Sequence, residues 1–596
     1  MPALGEDMYV LDDSRVVLLL RQPRLSSGFT PEDEVLPANS EVLVVHWSDG
    51  EARVESRTSL PGQILESRMV GRRLYAVSNS GAWRWNDWGW RWSWPLAQSA
   101  SLTVADDNDT KTPFLAEAYL NTLDLTFPAS PVMVEERALP TRAKVVSASS
   151  THFMVVRNQE YTNYYSAQDL VDVFRIHTAS PPELLGTVKV GGLVNDKFKM
   201  QVLDGILTVV SQCYRKLNWW QRYTRIETFG LPSGGSFTQQ AMNSLDIAEN
   251  ETLHATRFDD KRLYVVTFRQ IDPLFVIDLA DPADLKVSGE LEIPGWSTYL
   301  IPRGDRLLSV GVEDSRVAIS IFDVSNPAKP GMLDRVFIGE HGQYTSSEAN
   351  WDEKAVGYLP GQDVLIVPYE TRDWNQETGQ YTYRTAMQQI RIAGDDLQKQ
   401  GEVPHEVKAR RSTLIGSHLV SISGQELLVA DVSDAKNPTI RANHALSWPV
   451  HRVFKTGEFL LELESPGNAG GASVARLVKA SDPETLIQEL TLPVGLLEDT
   501  VWLADSSRLV FLLNRDEPGS YYYTLSNRPD SIQGLEGERT LCIGILDLHV
   551  PGEMTLLPAT EVDLNTDFWG FQGVEFFREG EDWLGIIIHG NPPLES

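Results

Sequence analysis

The sequence predicts an all-β protein: a large β-propeller of about seven to ten repeated four-stranded units. Three observations predict this class. A short apolar strand pattern recurs along the whole chain, a second strand pattern follows it in most units, and helical periodicity is nearly absent. With 42% hydrophobic and 22% charged residues, the chain of 596 residues has enough apolar material for a large core.

The first pattern is a polar turn followed by a run of the form Leu-x-x-Val. It recurs at a mean spacing of about 55 residues, near the upper end of the periods typical of propeller blades. The ten runs begin at Asp13, Gly71, Ser150, Asp204, Asp260, Gly304, Gly361, Gly416, Gly457 and Ser506.

The second pattern is an apolar strand that ends in Asp before a turn. It reads LFVIDLADPADL from Leu274, ISIFDVSNPAKP from Ile319, LLVADVSDAKNP from Leu427 and CIGILDLHVPGE from Cys542. Each Asp can accept hydrogen bonds from turn amides two residues on, and the Pro that follows ends the strand. The residue types therefore favour a strand and a tight turn in each unit.

Two further strands complete a unit: one that often ends in a turn such as ELEIPG, and an apolar segment before the next unit. A sheet of this size cannot bury both faces alone, so neighbouring sheets must stack, and radial stacking protects their edges. A β-sandwich array is the alternative. Ten units exceed the four to eight blades usual in one propeller, which leaves one unusually large ring, two rings or inserted units open.

The propeller is predicted to span residues 1–596, with aromatic-rich insertions at 78–100 and near 157–170, 212–225, 369–385 and 514–540. The first insertion contains WRWNDWGWRWSW, which predicts a hairpin with a turn at Asn86-Asp87. That turn pairs Trp85 with Trp88 and Trp83 with Trp90 on one face.

Charge and cysteine content exclude several classes of protein. The net charge of -30 argues against a nucleic-acid partner and against anionic membranes, and no apolar run is long enough to insert into a bilayer. The two cysteines, Cys213 and Cys542, exclude a CxxC zinc site, and they form either one disulfide or two thiols. The N-terminal residues lack the pattern of a secretory leader, so we expect either a cytoplasmic protein or a leader trimmed from the sequence.

The central third resembles a known family. The segments FVIDLADPADLKVSGELEIPGWSTYLIPRGDRLLSVG from Phe275 and ISIFDVSNPAKPGMLDRVFIGEHGQYTSSEANWDEKAVGYLPGQDVLIVPY from Ile319 resemble secreted bacterial and archaeal proteins with a C-terminal β-propeller domain. Single blades are also similar to the LVIVD repeat, and the resemblance is strongest over about 260–370. It implies a secreted, periplasmic or cell-surface propeller without an assigned activity. Ile301 and Glu353 occupy places where relatives often carry histidine, so no histidine-based site is implied.

Two polar clusters are candidate sites. The first cluster comprises Tyr299, Glu348, Asp352, Glu353 and Lys354. It is a candidate ligand site in the propeller channel. The alternative is a structural role, in which the same residues satisfy the backbone amides of turns. The second, Asp106, Asp107 and Asp109, offers oxygen ligands for Ca²⁺. Because its spacing matches no calcium loop, a solvated turn is the alternative, and we expect no cofactor.

Aromatic residues in the insertions are the other candidates for binding. Equivalent loops of a propeller emerge at one end, where Trp and Tyr suit stacking on sugars or anchoring a protein. Their structural alternative is a hairpin that covers blade edges. The residues are Trp83, Trp85, Trp88, Trp90, Trp219, Trp220, Tyr223 and Trp374.

No short catalytic motif is present, since the chain lacks HExxH, a nucleophile elbow and a phosphate loop. The leading hypothesis is therefore a non-enzymatic extracytoplasmic propeller that binds a protein or glycan partner. One alternative is a carboxylate-dependent hydrolase of glycan or peptide with its site in the channel. Another is a structural component of the cell envelope.

Overall fold

The chain is built almost entirely of antiparallel β-sheets. The computed structural model describes residues 5–20, 36–37, 39–48, 50–80, 82–86, 89–93, 117–158, 167–178, 180–216, 220–232, 241–268, 272–375, 380–446, 450–464, 472–503, 506–514, 539–564, 569–579 and 583–591. Within these ranges the helical segments are short 3-10 turns at Lys197–Lys199, Glu348–Asn350, Glu353–Ala355 and Pro360–Gln362.

Ten sheets of at least four strands follow one another along the described chain, and we number them blades 1 to 10. Blades 1 to 3 comprise Gly5–Asp12, Arg15–Leu20, Ser40–Ser48 and Glu51–Leu60; Gln63–Val70, Arg73–Asn79, Ala118–Asp124 and Val132–Leu139; and Ala143–Ala148, His152–Asn158, Asp169–Arg175 and Glu183–Lys189. Blades 4 to 6 comprise Met200–Leu203, Ile206–Lys216, Trp220–Gly230 and Asn243–Ile247; Thr252–Asp259, Arg262–Phe268, Asp272–Asp278 and Lys286–Ile293; and Trp296–Arg303, Arg306–Glu313, Arg316–Asp323 and Gly331–Ile338.

The later blades are less uniform. Blade 7 has Tyr344–Ser346 and Gly357–Leu359, both paired with Val364–Asn375, then Gln380–Ala393 and Asp396–His405. Blades 8 and 9 comprise Ala409–Ile415, His418–Ser423, Glu426–Asp431 and Thr439–Ala445; and Val450–Thr456, Phe459–Glu464, Ala472–Lys479 and Asp482–Val494. Blade 10 comprises Leu496–Leu503, Arg508–Asn514, Arg539–Asp547, Thr555–Leu556 and Thr560–Leu564, and a hairpin of Trp569–Glu579 with Trp583–Asn591 follows it.

This architecture confirms the predicted fold class. Each of the ten Leu-x-x-Val runs is the second strand of one blade, so the apolar segment before each run is the first strand of that same blade. The Asp turns also form as predicted: Ala280 N donates to Asp278 Oδ1 at 2.8 Å, and Ser325 N donates to Asp323 Oδ1 at 2.9 Å.

Neighbouring blades stack through apolar faces, and shared cores lie between blades 1 and 2, 2 and 3, 3 and 4, 4 and 5, 5 and 6, 7 and 8, and 9 and 10. Between blades 5 and 6, Tyr264 and Val266 pack with Leu307 and Phe322, and all four are fully buried. Full burial of side chains of this size contributes roughly 1.5–3 kcal/mol each.

The chain divides into two compact units. Unit 1 contains 1–342, 349–353 and 390–399, and therefore all of blades 1 to 6. Unit 2 contains 343–348, 354–389 and 400–596, with blades 8 to 10.

The tryptophan-rich hairpin forms, but the predicted register is wrong. The backbone pairs Trp85 with Trp90 and Trp83 with Trp92, and residues 87–88, outside the described ranges, connect the strands. A slip of two residues on one strand preserves the alternation of faces, so the sequence pattern could not distinguish the two registers. Leu36–Pro37 adds a third strand to this small sheet.

The structure also bears on the state of the two cysteines and on membrane-spanning helices. Cys213 and Cys542 are both buried and are not joined in a disulfide, so the thiol alternative holds. Among the described residues, no helix has the length and apolar character needed to cross a bilayer.

Candidate functional site

A cavity of about 620 Å³ lies within unit 1. Its walls come from the first strands of blades 2, 3, 5 and 6, the end of the second strand of blade 5, the turn before blade 4 and the segment 349–353. Ligand pockets in proteins commonly have volumes of this size and combine apolar walls with a few polar groups. This cavity is therefore the candidate site.

Irregular pairing of the first strands aims residues into the cavity. The pairing between the first and second strands skips one residue in each of these four blades: Leu65, Lys144, His254 and Thr298. All four skipped residues line the cavity. A bulge inserts one extra residue and redirects its side chain, so a repeated bulge gives each blade one residue at the same level.

Lys197 occupies the centre of the charged lining. Its Nζ donates to Glu66 Oε2 at 2.8 Å and lies 2.6 Å from Glu353 Oε1. Burial alone would lower the pKa of Lys197, but the hydrogen bonds to Glu353 and Glu66 outweigh it and raise that pKa above its ordinary value. Lys197 is therefore a firmly charged centre between two carboxylates.

Aromatic rings cover much of the remaining wall. The ring of Phe268 lies 5.4 Å from that of Trp296 and 5.7 Å from that of His254, the latter edge to face. Phe198 and Tyr299 form a second pair at 5.6 Å. Trp351 also lines the cavity and is 77% exposed, so this ring is the accessible one.

Further polar groups complete the lining. Thr298 Oγ1 donates to Asn350 Oδ1 at 3.0 Å, and Lys144 forms an ion pair with Asp169, with Nζ 3.0 Å from Oδ2. Burial, with a smaller contribution from Lys199, lowers the pKa of His254. His254 is therefore neutral near pH 7 and presents an amphiphilic ring.

A second cavity of about 420 Å³ adjoins the first. Glu66, Val146, Lys197 and Phe198 line both, so these residues form the partition between the two cavities. Beyond Phe198, the guanidinium of Arg257 lies 5.2 Å from the ring of Phe198 and 5.7 Å from that of Tyr299.

The structure brings two residues of the predicted polar cluster together, Tyr299 and Glu353, in the first cavity. Asp352 lies beside Glu353 in unit 1 and is not part of the lining. Glu348 and Lys354 belong to unit 2, where Glu348 lies 3.7 Å from Lys408.

The aromatic insertions lie between the second and third strands of their blades. Tyr223 is buried, with its ring between Arg215 and Arg225 at 5.3 and 5.4 Å, and Trp220 begins the third strand of blade 4. Only the backbone is described for Trp83, Trp85, Trp90 and Trp374.

Other predicted residues lie outside the described ranges: Trp88, Trp219, Asp106, Asp107 and Asp109. The Ca²⁺ hypothesis therefore stays a prediction. Within the ranges that are described, no group of three or more His, Cys, Asp and Glu side chains could hold a metal.

Sequence reasoning missed most of the cavity, including Glu66, Lys197 and Trp296. Glu66 and Lys197 are 131 residues apart, and no short motif joins them. One local signal was available: NDKFKM places two lysines and a phenylalanine in the turn before a first strand, where a solvated loop needs no aromatic ring.

Comparisons with known proteins concern the fold. Residues 4–435 match the family described as "Beta propeller domain". The chain is 29% identical over 192 residues to an uncharacterized protein of Methanocaldococcus jannaschii, which covers 31% of this chain and 27% of that protein. It is 42% identical over 127 residues to an uncharacterized protein of Archaeoglobus fulgidus, 20% of each chain. The chain thus spans about a quarter or less of the length of these curated relatives.

Two solved structures are similar at low identity. A putative 6-phosphogluconolactonase from Bacteroides fragilis has 11% identity and a TM-score of 0.34, and the match covers 56% of this chain and 91% of that one. A periplasmic gluconolactonase from Pseudomonas aeruginosa has 10% identity and a TM-score of 0.36, with 55% and 92% covered. The activities in these names are those of the two proteins themselves.

The family match covers 4–435, most of the chain, and the described residues form ten consecutive blades of four or five strands. The chain therefore belongs to the beta propeller domain family.

Proposed function

We propose that this protein is a non-enzymatic binding protein that takes a sugar unit of a glycan into the first cavity. The observation that carries the proposal is the lining itself, which combines aromatic rings and hydrogen-bonding groups around a volume of about 620 Å³. Sugar rings present C–H faces to aromatic rings and hydroxyls at their edges, and both kinds of surface have a counterpart in this lining.

The cavity favours a small ligand over a protein surface. A stable protein interface buries roughly 1,200 Å² or more, whereas a cavity of this volume accepts a group of one or two sugar rings. The aromatic insertions, expected from the sequence to bind the partner, would extend contact along the glycan. An extracytoplasmic location is part of the proposal and rests on the family resemblance alone.

Binding without hydrolysis is expected from the state of the three carboxylates that line the cavity, Glu66, Asp196 and Glu353. Glycoside hydrolysis needs one carboxyl as acid and another as nucleophile or base. Glu66 and Glu353 both face Lys197, which occupies the space between them. Asp196 is paired with Lys199 and accepts from Phe198 N at 3.0 Å. None of the three carboxylates is placed as a free acid or nucleophile.

Substitution of Trp351 tests the proposal. Trp351→Ala should weaken glycan binding about tenfold or more, because a stacking ring contributes on the order of 0.5–1.5 kcal/mol beyond the area it buries. Since this side chain is 77% exposed, the fold should be unaffected. A glycan array identifies the ligand, and titration calorimetry with that ligand measures the loss.

Trp47→Ala is the matched control, because Trp47 is 56% exposed on blade 1 and lies outside the lining. Equal affinity of the two variants would overturn the cavity as the glycan site. Release of shorter sugars on incubation would instead support the hydrolase, and the absence of any saturable ligand would support the structural role.

A further inference from the structure

The second cavity carries a surplus of positive charge. Arg68, Lys197 and Arg257 line it, together with the single carboxylate Glu66. Glu66 is already bound to Lys197, which also pairs with Glu353. Among the described residues, neither Arg68 nor Arg257 forms an ion pair with a carboxylate.

This surplus of positive charge is opposite in sign to the net charge of the whole chain. The protein has 82 acidic residues against 52 basic ones, so an arginine beside a cavity would readily find an acidic neighbour. Asp7 of blade 1 accepts a hydrogen bond from Ser67 Oγ at 3.1 Å. The guanidinium groups of Arg68 and Arg257 both line the cavity.

Arg257 is held in position by aromatic rings rather than by a counter-ion. Its guanidinium lies over Phe198 at 5.2 Å and over Tyr299 at 5.7 Å. A side-chain hydrogen bond also links Arg257 with Tyr299. The guanidinium carries five N–H donors, so others remain for a ligand, and an immobilised arginine loses little entropy on binding. Ser147 and Gln201 add neutral donors to the same wall.

We propose that this second cavity binds an oxyanion, a carboxylate, sulfate or phosphate group, through Arg68 and Arg257. The forked guanidinium matches planar carboxylates and tetrahedral phosphates or sulfates in bidentate fashion. The volume of about 420 Å³ admits one such group with its attached carbon skeleton or with water. This site is separate from the proposed glycan cavity, since Lys197 and Phe198 lie between the two.

Titration calorimetry at low ionic strength tests this site, with sodium phosphate, sodium sulfate and sodium glucuronate as separate probes. At least one probe should bind saturably to the wild type. Arg257→Gln should weaken that binding about tenfold or more, because it removes charge-assisted hydrogen bonds to the anion. The preferred probe distinguishes a sugar acid from an inorganic or ester anion.

Two further variants complete the experiment. Arg68→Gln should weaken binding as well, and because Arg68 is exposed this variant keeps the test valid if Arg257→Gln fails to fold. Arg57→Gln is the control: Arg57 pairs with Glu41 on blade 1, outside both cavities, and its loss should leave the affinity unchanged. Lack of saturable binding by all three probes, or equal binding by the Arg68 and Arg57 variants, overturns the proposal.

Discussion

At the scale of single residues, Lys197 forms the ion pairs that join distant parts of unit 1. Its ammonium lies between Glu66 of blade 2 and Glu353 of the segment 349–353, while Lys197 itself belongs to the turn before blade 4. Because the three side chains are 20–28% exposed, they are only partly screened by water. The ammonium therefore offsets a repulsion between two carboxylates that the fold brings together.

Lys197→Met should lower the free energy of unfolding by about 1–3 kcal/mol at pH 8, because Glu66 and Glu353 lose their shared cation. The loss should shrink near pH 4, where protonation relieves the carboxylates. Urea denaturation at both pH values measures it. Lys261→Met is the control, since its pair with Asp204 is 3.5 Å long and more than half exposed. Equal effects of the two variants would contradict the argument.

At the scale of elements, the entry into each first strand decides where the cavity residues lie. Gly295 precedes the first strand of blade 6 with φ +78°, and a Cβ there would lie 2.4 Å from the carbonyl oxygen of Val312. Gly62 precedes the first strand of blade 2 in the same way, with φ +73° and 2.4 Å to the carbonyl oxygen of Asn79. Both positions need a residue without Cβ, for conformation and for space.

Gly295→Ala should lower the free energy of unfolding by roughly 3 kcal/mol or more, because left-handed strain adds to a clash with backbone. It should also weaken ligand binding, since Trp296, Thr298 and Tyr299 follow directly and line the cavity. Gly304→Ala is the matched control, with φ +61° and open space around the added Cβ, and should cost only about 1 kcal/mol. Thermal denaturation compares the stabilities of the two variants. Equal losses of stability would show that the close approach of the added Cβ to the carbonyl oxygen of Val312 does not matter.

At the scale of the whole molecule, the sequence was sufficient for the repeat and insufficient for the cavity. The second strands are apolar on both faces, as in Leu263 to Val266 of blade 5, so their pattern stands out without any tertiary information. The first strands alternate buried and cavity-facing residues and are interrupted by a bulge, as at His254, which blurs any periodic signal. The cavity also depends on contacts between residues more than a hundred positions apart, such as Glu66 and Lys197. A local sequence pattern cannot predict such contacts.

Fully or partly buried histidines in both units link stability to pH. Burial lowers the pKa of His152 and His254 in unit 1 and of His405 in unit 2, where it outweighs the opposing effect of Glu426. His405 Nδ1 is 2.9 Å from Glu426 Oε1, and its Nε2 is 2.8 Å from Ser421 Oγ. The folded protein keeps these rings neutral, whereas the unfolded chain protonates them near pH 6.5.

The sign of the pH effect follows from proton binding. Below about pH 6.5 the unfolded chain binds more protons than the folded one, so the free energy of unfolding falls as pH falls, by at most about 1.4 kcal/mol per pH unit for each such histidine. Between pH 5.5 and 6.5 most carboxylates stay ionised, so this window isolates the histidines. His405 lies in unit 2, and urea denaturation of that unit measures its free energy of unfolding at each pH. This free energy should fall less steeply with falling pH in His405→Gln than in the wild type. His418→Gln, at an exposed position of blade 8 in the same unit, should keep the wild-type dependence on pH, and a wild-type dependence in His405→Gln would mean that the buried ring does not set it.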